Sequence, residues 1–192
     1  SKMDKKSLGK CFDHSVLPKN TQEKDIREGC REAVKYNCAS FYSATIFWTP
    51  VVLEELEGSD VLPATGIDFP FGANPARLKA IEAEMAVKAG CKALDIVMNI
   101  GALKDGKHDV VLQELKDFKT AAQGNLTKCI LETGFLTDEE IATGCPFCKV
   151  MLGSSESAQA QGAPEVLDVA QLVAARLDAI QAKLDGAPAA GD

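Results

Sequence analysis

Asp95 is the residue in this chain that most needs a chemical reason. It stands between Leu94 and Ile96 in an apolar run with strand character. A carboxylate there either points inward toward a lysine or carries a heavy desolvation cost. The competing reading is a structural aspartate paired with a core lysine. Asp13 and His14 form a second candidate pair. Adjacent strand residues point to opposite faces, so these two cannot act on one another as a dyad. Cys145 and Cys148 make a CxxC motif, open to a redox reading or to half of a zinc site. Zinc needs two further ligands, and the chain has only two histidines, His14 and His108, with no second CxxC. A thioredoxin-type fold carries its CxxC after the first strand, not toward the end, so the redox reading is distant.

Composition narrows the partners. The 192 residues fit one domain with a sizeable core. Hydrophobic residues make up 46% and charged residues 26%, a globular rather than a disordered balance. The net charge of -7 argues against nucleic acid or an anionic membrane surface as the main partner. No run of about 18 apolar residues is present, so no membrane span is expected. Residues 1–10 carry no apolar segment of the secretory kind, so no secretory signal is expected either. The seven cysteines, an odd number spread through apolar segments, read as buried free thiols in a reducing compartment. A cytoplasmic location is expected, or an organelle matrix if a transit peptide was removed.

The elements that must position these residues alternate. Short apolar runs at 11–17, 39–47, 61–67, 93–100 and 126–132 read as strands. Helical patterns lie between them. Asn20 is placed to cap a helix with the stripe Ile26, Cys30, Ala33 and Val34. Pro50 opens a second helix carrying Val52, Leu53 and Leu56. Asn74 and Pro75 open a third, with Leu78, Ile81 and Met85 expected on its buried face and Gly90 as its stop. Val111, Leu115 and Phe118 mark a fourth, and Thr137 with Glu140 forms the capping box of a fifth. Near-continuously apolar strands alternating with helices imply a parallel sheet covered by helices. Pattern alone leaves an open sheet and a closed barrel both standing. The missing Gly-x-Gly-x-x-Gly after the first strand weighs against a dinucleotide-binding version. Residues 154–162 read as a linker, and Pro164 starts a helix along Leu167, Ala170, Val173, Leu177, Ile180 and Leu184. The expected division is thus 1–153 for the main domain and 154–192 for linker, helix and flexible end.

The run LDIVMNIGALK at 94–104 resembles the fourth strand and following loop of the deoxyribose-phosphate aldolase family. FDHSVL at 12–17, DFPFG at 68–72 and KCILETGFLTDEE at 128–140 resemble that family's first, third and fifth strands in order. The resemblance implies an α/β fold, a TIM-type (β/α) barrel, here incomplete with five or six parallel strands and a C-terminal helix. It implies a class I aldolase that splits 2-deoxyribose 5-phosphate into acetaldehyde and glyceraldehyde 3-phosphate through a lysine Schiff base, with no metal or cofactor. By the same resemblance, Asp95 transfers protons and Lys149, in PFCKVMLG, forms the Schiff base. Lys128 supplies a neighbouring positive charge, and Asp13 lies inside the barrel.

Several positions depart from the family. Val150, Met151 and Leu152 follow Lys149 where polar residues are the rule, and 141–147 is short for the usual fifth helix. Tyr42 and Ala44 stand where the family carries a small Cys and an Asn, so Tyr42 would fill space meant for a small sugar. Lys183 sits in a helical stripe and is not assigned as the second barrel lysine, and no glycine-rich phosphate cradle is visible. The expectation is therefore weak or absent cleavage, with a small phosphorylated sugar or aldehyde as the ligand of an active form. The alternative is a non-catalytic, aldolase-derived structural subunit of a larger assembly. In either case the barrel's open edges should be covered by the helix from Pro164, a second copy, or a partner protein.

Overall fold

The structure, a computed structural model, describes residues 5–142. A short helix, α1 (Lys5–Gly9), precedes five strand–helix repeats. The strands are β1 (Asp13–Val16), β2 (Ser40–Ser43), β3 (Leu62–Ile67), β4 (Ala93–Val97) and β5 (Leu126–Ile130). They are joined by α2 (Glu23–Lys35), α3 (Thr49–Leu56), α4 (Ala76–Ala89), the short α5 (Ile100–Lys104) and α6 (His108–Ala121). All neighbouring strands pair in parallel, in the order β1-β2-β3-β4-β5. The expected α/β architecture with five parallel strands is present. Residues 138–142 are helical and begin with the expected capping box. The backbone N–H of Thr137 donates to Glu140, and that of Glu140 donates to the Thr137 hydroxyl. The C-terminal helix expected from Pro164, and the segment carrying Lys149, lie outside the described residues. Among the described residues no helix is long and apolar enough to cross a membrane.

Strand pleating sorts the side chains onto two faces. Phe41, Ile67, Leu94, Ile96 and Met98 point outward and are buried under the helices. They divide into two clusters, one under α2 and α3, the other under α4 and α6. The inner face carries Ala64, Ala93 and Gly66 together with Asp13, Ser40, Tyr42, Asp95 and Lys128, and Val97 and Ile130 follow at the ends of β4 and β5. The sheet curls strongly about this inner face, because Lys128 on one edge strand bonds Asp13 on the other. This curvature is that of a barrel wall.

Three details differ from the expectation. The second helix is entered at Gln22, whose N–H donates to Asp25, and not at Asn20. In α4 the buried face carries Lys79, Ala80, Ala83 and Ala86, while Leu78 and Met85 are exposed. Alanines let α4 approach α6 closely, and a leucine or methionine on that face would hold the helices apart. The run expected as a strand at 39–47 ends early at a short helical turn, Ile46–Trp48, and that at 93–100 ends early because Asn99 accepts a hydrogen bond from the Ala102 N–H and caps α5.

The β3–α4 loop turns back onto the end of β4 at Gly72. Its φ is 68°, and a Cβ there would stand 2.5 Å from the Met98 carbonyl oxygen. Gly72→Ala should therefore cost roughly 1–3 kcal/mol, read as a fall in the midpoint of chemical denaturation. An unchanged midpoint would mean that the two loops are not in contact.

Candidate active site

The inward faces of β1, β2, β4 and β5 assemble one polar cluster. Asp95 and Lys128 are register partners at the middle of β4 and β5, and their charged atoms lie 3.3 Å apart. The same ammonium reaches across the concave face to Asp13 at 2.5 Å. Ser40, at the start of β2, donates its hydroxyl to the other Asp13 oxygen. Tyr42, two residues on and on the same face, donates its hydroxyl to Asp95 at 2.7 Å. Its ring lies beneath the Lys128 ammonium, 4.6 Å from nitrogen to centroid. Room for that ring comes from Ala64 and Ala93, which pack against it.

His14 points the other way, to Glu32 on α2. Asp13 and His14 therefore lie on opposite faces, as strand pleating requires. Asp95 and Lys128 sit at mid-strand, and Asp13 and Ser40 at the starts of their strands. A cleft of about 160 Å³ lies beside it, lined by Asp13, Ser15, Tyr42, Phe69, Asp95 and Ile130.

The two aspartates are tuned apart. Burial pushes the Asp95 carboxyl above the ordinary carboxylate range, and the Lys128 charge and the Tyr42 hydrogen bond only partly oppose it. Burial also raises Asp13, but hydrogen bonds from Lys128 and Ser40 outweigh it and leave that carboxyl below its ordinary value. Burial, followed by the Asp95 charge, pushes the Tyr42 phenol upward, so it stays protonated and acts as a donor. Two carboxylates in one site with opposite shifts are a division of labour: one can exchange a proton, the other stays an anion. Tyr42→Phe removes a hydrogen bond that favours the charged form of Asp95 while keeping the ring under Lys128. The Asp95 titration should then move to higher pH, seen by carbon-13 NMR of the carboxyl; a shift downward or none would contradict the assigned bond.

Lys149, Lys183 and the Cys145–Cys148 pair lie outside the described residues. The five described cysteines are free thiols, and burial pushes that of Cys30 up to about 12, which makes it inert. Two features were missed in the sequence. Ser40 shares the inward face of Tyr42 by the two-residue period of a strand, and that period was available. Lys79 occupies the alanine face of α4, where 79, 83 and 86 recur at helical spacing.

No family model matches the chain. It is 40% identical over 143 residues to a deoxyribose-phosphate aldolase of Clostridium tetani, covering 74% of this chain and 66% of that protein. It is 35% identical over 158 residues to deoxyribose-phosphate aldolase 1 of Mesoplasma florum, covering 78% and 71%. Among solved structures, QR15, an aldolase, superposes with a TM-score of 0.70 at 28% identity over 75% of this chain and 64% of that one. The curled parallel sheet with its inward charged cluster is thus a wall of a TIM-type aldolase barrel. Its identity with the Mesoplasma florum protein, over more than two thirds of that protein's length, decides the family. The chain belongs to the deoxyribose-phosphate aldolase family, and it spans about two thirds of the length of the first relatives it matches.

Proposed function

We propose that this chain is a carbon–carbon lyase of the class I aldolase kind, cleaving 2-deoxyribose 5-phosphate with weakened turnover. The carrying observation is the Asp13–Lys128–Asp95 arrangement, in which one ammonium joins two oppositely tuned carboxylates on the concave face. In this reading the Lys149 amine adds to the substrate carbonyl, and the resulting carbinolamine loses water to form the imine. Asp95 carries the protons of carbinolamine formation and breakdown, since burial raises its carboxyl above the ordinary range and eases its protonation. Lys128 supplies positive charge to the site and keeps Asp13 ionised. The reading includes the division at residue 153, a cytoplasmic location, and cover for the sheet edges from the 154–192 segment, a second copy or a partner chain.

Tyr42 supports weakness over full competence. Its ring fills the centre of the inner face beside Asp95, where the substrate's carbon chain would lie. The same observation favours a second reading, a family-derived scaffold without catalysis.

Borohydride trapping with acetaldehyde separates the two. The expected result is a single added ethyl group on the intact chain, mapped to Lys149 and lost in Lys149→Ala. No adduct, or labelling spread over surface lysines, would favour the scaffold.

A further inference from the structure

A second buried charged cluster stands on the outer side of the barrel wall. Lys79 of α4 has no exposed side-chain surface. Its ammonium donates to the Gly72 carbonyl at 2.7 Å and the Val97 carbonyl at 3.0 Å. It pairs with Glu114 of α6 at 2.8 Å and stands 3.6 Å from Asp68. Each partner holds more backbone: the Asn99 N–H donates to Glu114, and the Asn74 N–H donates to Asp68. Glu82, one turn along α4, accepts from the Asp68 N–H.

The placement of these contacts is the argument. Gly72 and Asn74 belong to the loop after β3; Val97 ends β4, and Asn99 caps α5 just beyond it. One side chain donates to a carbonyl of the loop and to the last carbonyl of β4, joining the two segments. Stability alone does not explain it, because a buried ion pair is often no better than an apolar pair of equal volume. An apolar pair would fill the space between α4 and α6 but could not hold the three backbone groups that Lys79 and Glu114 hold. Val97 is two residues beyond Asp95 on the same strand, so whatever fixes the Val97 carbonyl fixes the height and tilt of Asp95.

We propose that Lys79 is a positioning residue for Asp95, tying the ends of β3 and β4 into one rigid platform from behind the barrel wall. The proposal rests on the reading of the Asp95 cluster as the aldol site. A catalytic group displaced by about 1 Å loses roughly 10²-fold in rate, so a platform of this kind acts on kcat rather than on affinity.

The test has two parts. In the wild-type full chain, the amide hydrogens of Gly72 and Asn99 should exchange only at the rate of global unfolding. Exchange through fast local opening would overturn the proposal whatever the variants do. The second part uses Lys79→Met with Glu114→Gln, which removes both charges and leaves no unpaired ion behind. In this folded variant the Asp95 carboxyl should titrate at a changed pH by carbon-13 NMR. Cleavage of deoxyribose 5-phosphate should fall about tenfold in kcat, with KM within about twofold. An unchanged Asp95 titration would make Lys79 a purely structural residue. Absence of turnover in the wild type would refute the aldol reading alone, and the Asp95 titration would still decide the role of Lys79.

Discussion

Asp95→Asn should leave the fold standing and remove most of the chemistry. The amide oxygen still accepts from the Tyr42 hydroxyl, and Lys128 keeps its bond to Asp13. Burial already disfavours the charged form of Asp95, so a neutral group of the same shape costs the fold little. The proton carrier of the proposed mechanism is lost, however, and a positioned acid–base group contributes roughly 10²–10⁴-fold. Single-turnover cleavage and the rate of borohydride trapping should both fall by that order, with an unfolding temperature close to wild type. Cleavage at the wild-type rate would take Asp95 out of the mechanism.

The largest expected stability loss belongs to Lys79→Met without its companion change. Glu114 then stands buried without an ammonium, and breaking such a pair costs roughly 3–5 kcal/mol. For a domain of this size that is a fall of roughly 6–20 °C in unfolding temperature. The loss has a pH signature. Burial holds the Glu114 carboxyl above its ordinary value even with Lys79 present, and removing the ammonium raises it further. A carboxyl that titrates higher folded than unfolded makes the folded state bind more protons. The variant should therefore be closest to wild type in acid. Stability should fall as pH rises from the ordinary carboxylate range through the raised folded value, and stay low above it. Thermal unfolding across that range checks the sign; a variant weaker in acid than at neutrality would mean that another group controls the effect.

What the sequence disclosed, and what it withheld, follows from which contacts are local. Leu94-Asp95-Ile96 is a strand triplet, and its period of two already turns Asp95 away from the helix-packed face. The same reasoning covers Lys128 between Thr127 and Cys129. Their mutual approach, and the reach to Asp13, depend on sheet curvature, which no strand period encodes. The helices were legible where large apolar residues face inward, as with Ile26 and Cys30 in α2. They were misread in α4, where size pointed to Leu78 and Met85 but closeness to α6 selected the alanines. Lys79 was missed for the same reason, since a lysine on a helix is ordinarily a solvent-facing residue and its partners come from three distant segments. The fourth strand was overrun because Met98, just beyond β4, is apolar and as buried as the strand itself.

The strictly sequential strand order has a bearing on how the site comes into being. Each strand pairs with the next in the chain, so every repeat can close its own short loop, and folding can proceed from any repeat outward. The bond between Lys128 and Asp13 is different, joining residues 115 apart across the whole sheet. It forms only when every intervening repeat has docked, and it is the first to part when either edge strand frays. The cluster is in this sense a proofreader of assembly: its two aspartates acquire their opposed proton affinities only in a fully closed wall, so a half-folded chain carries the residues without the chemistry.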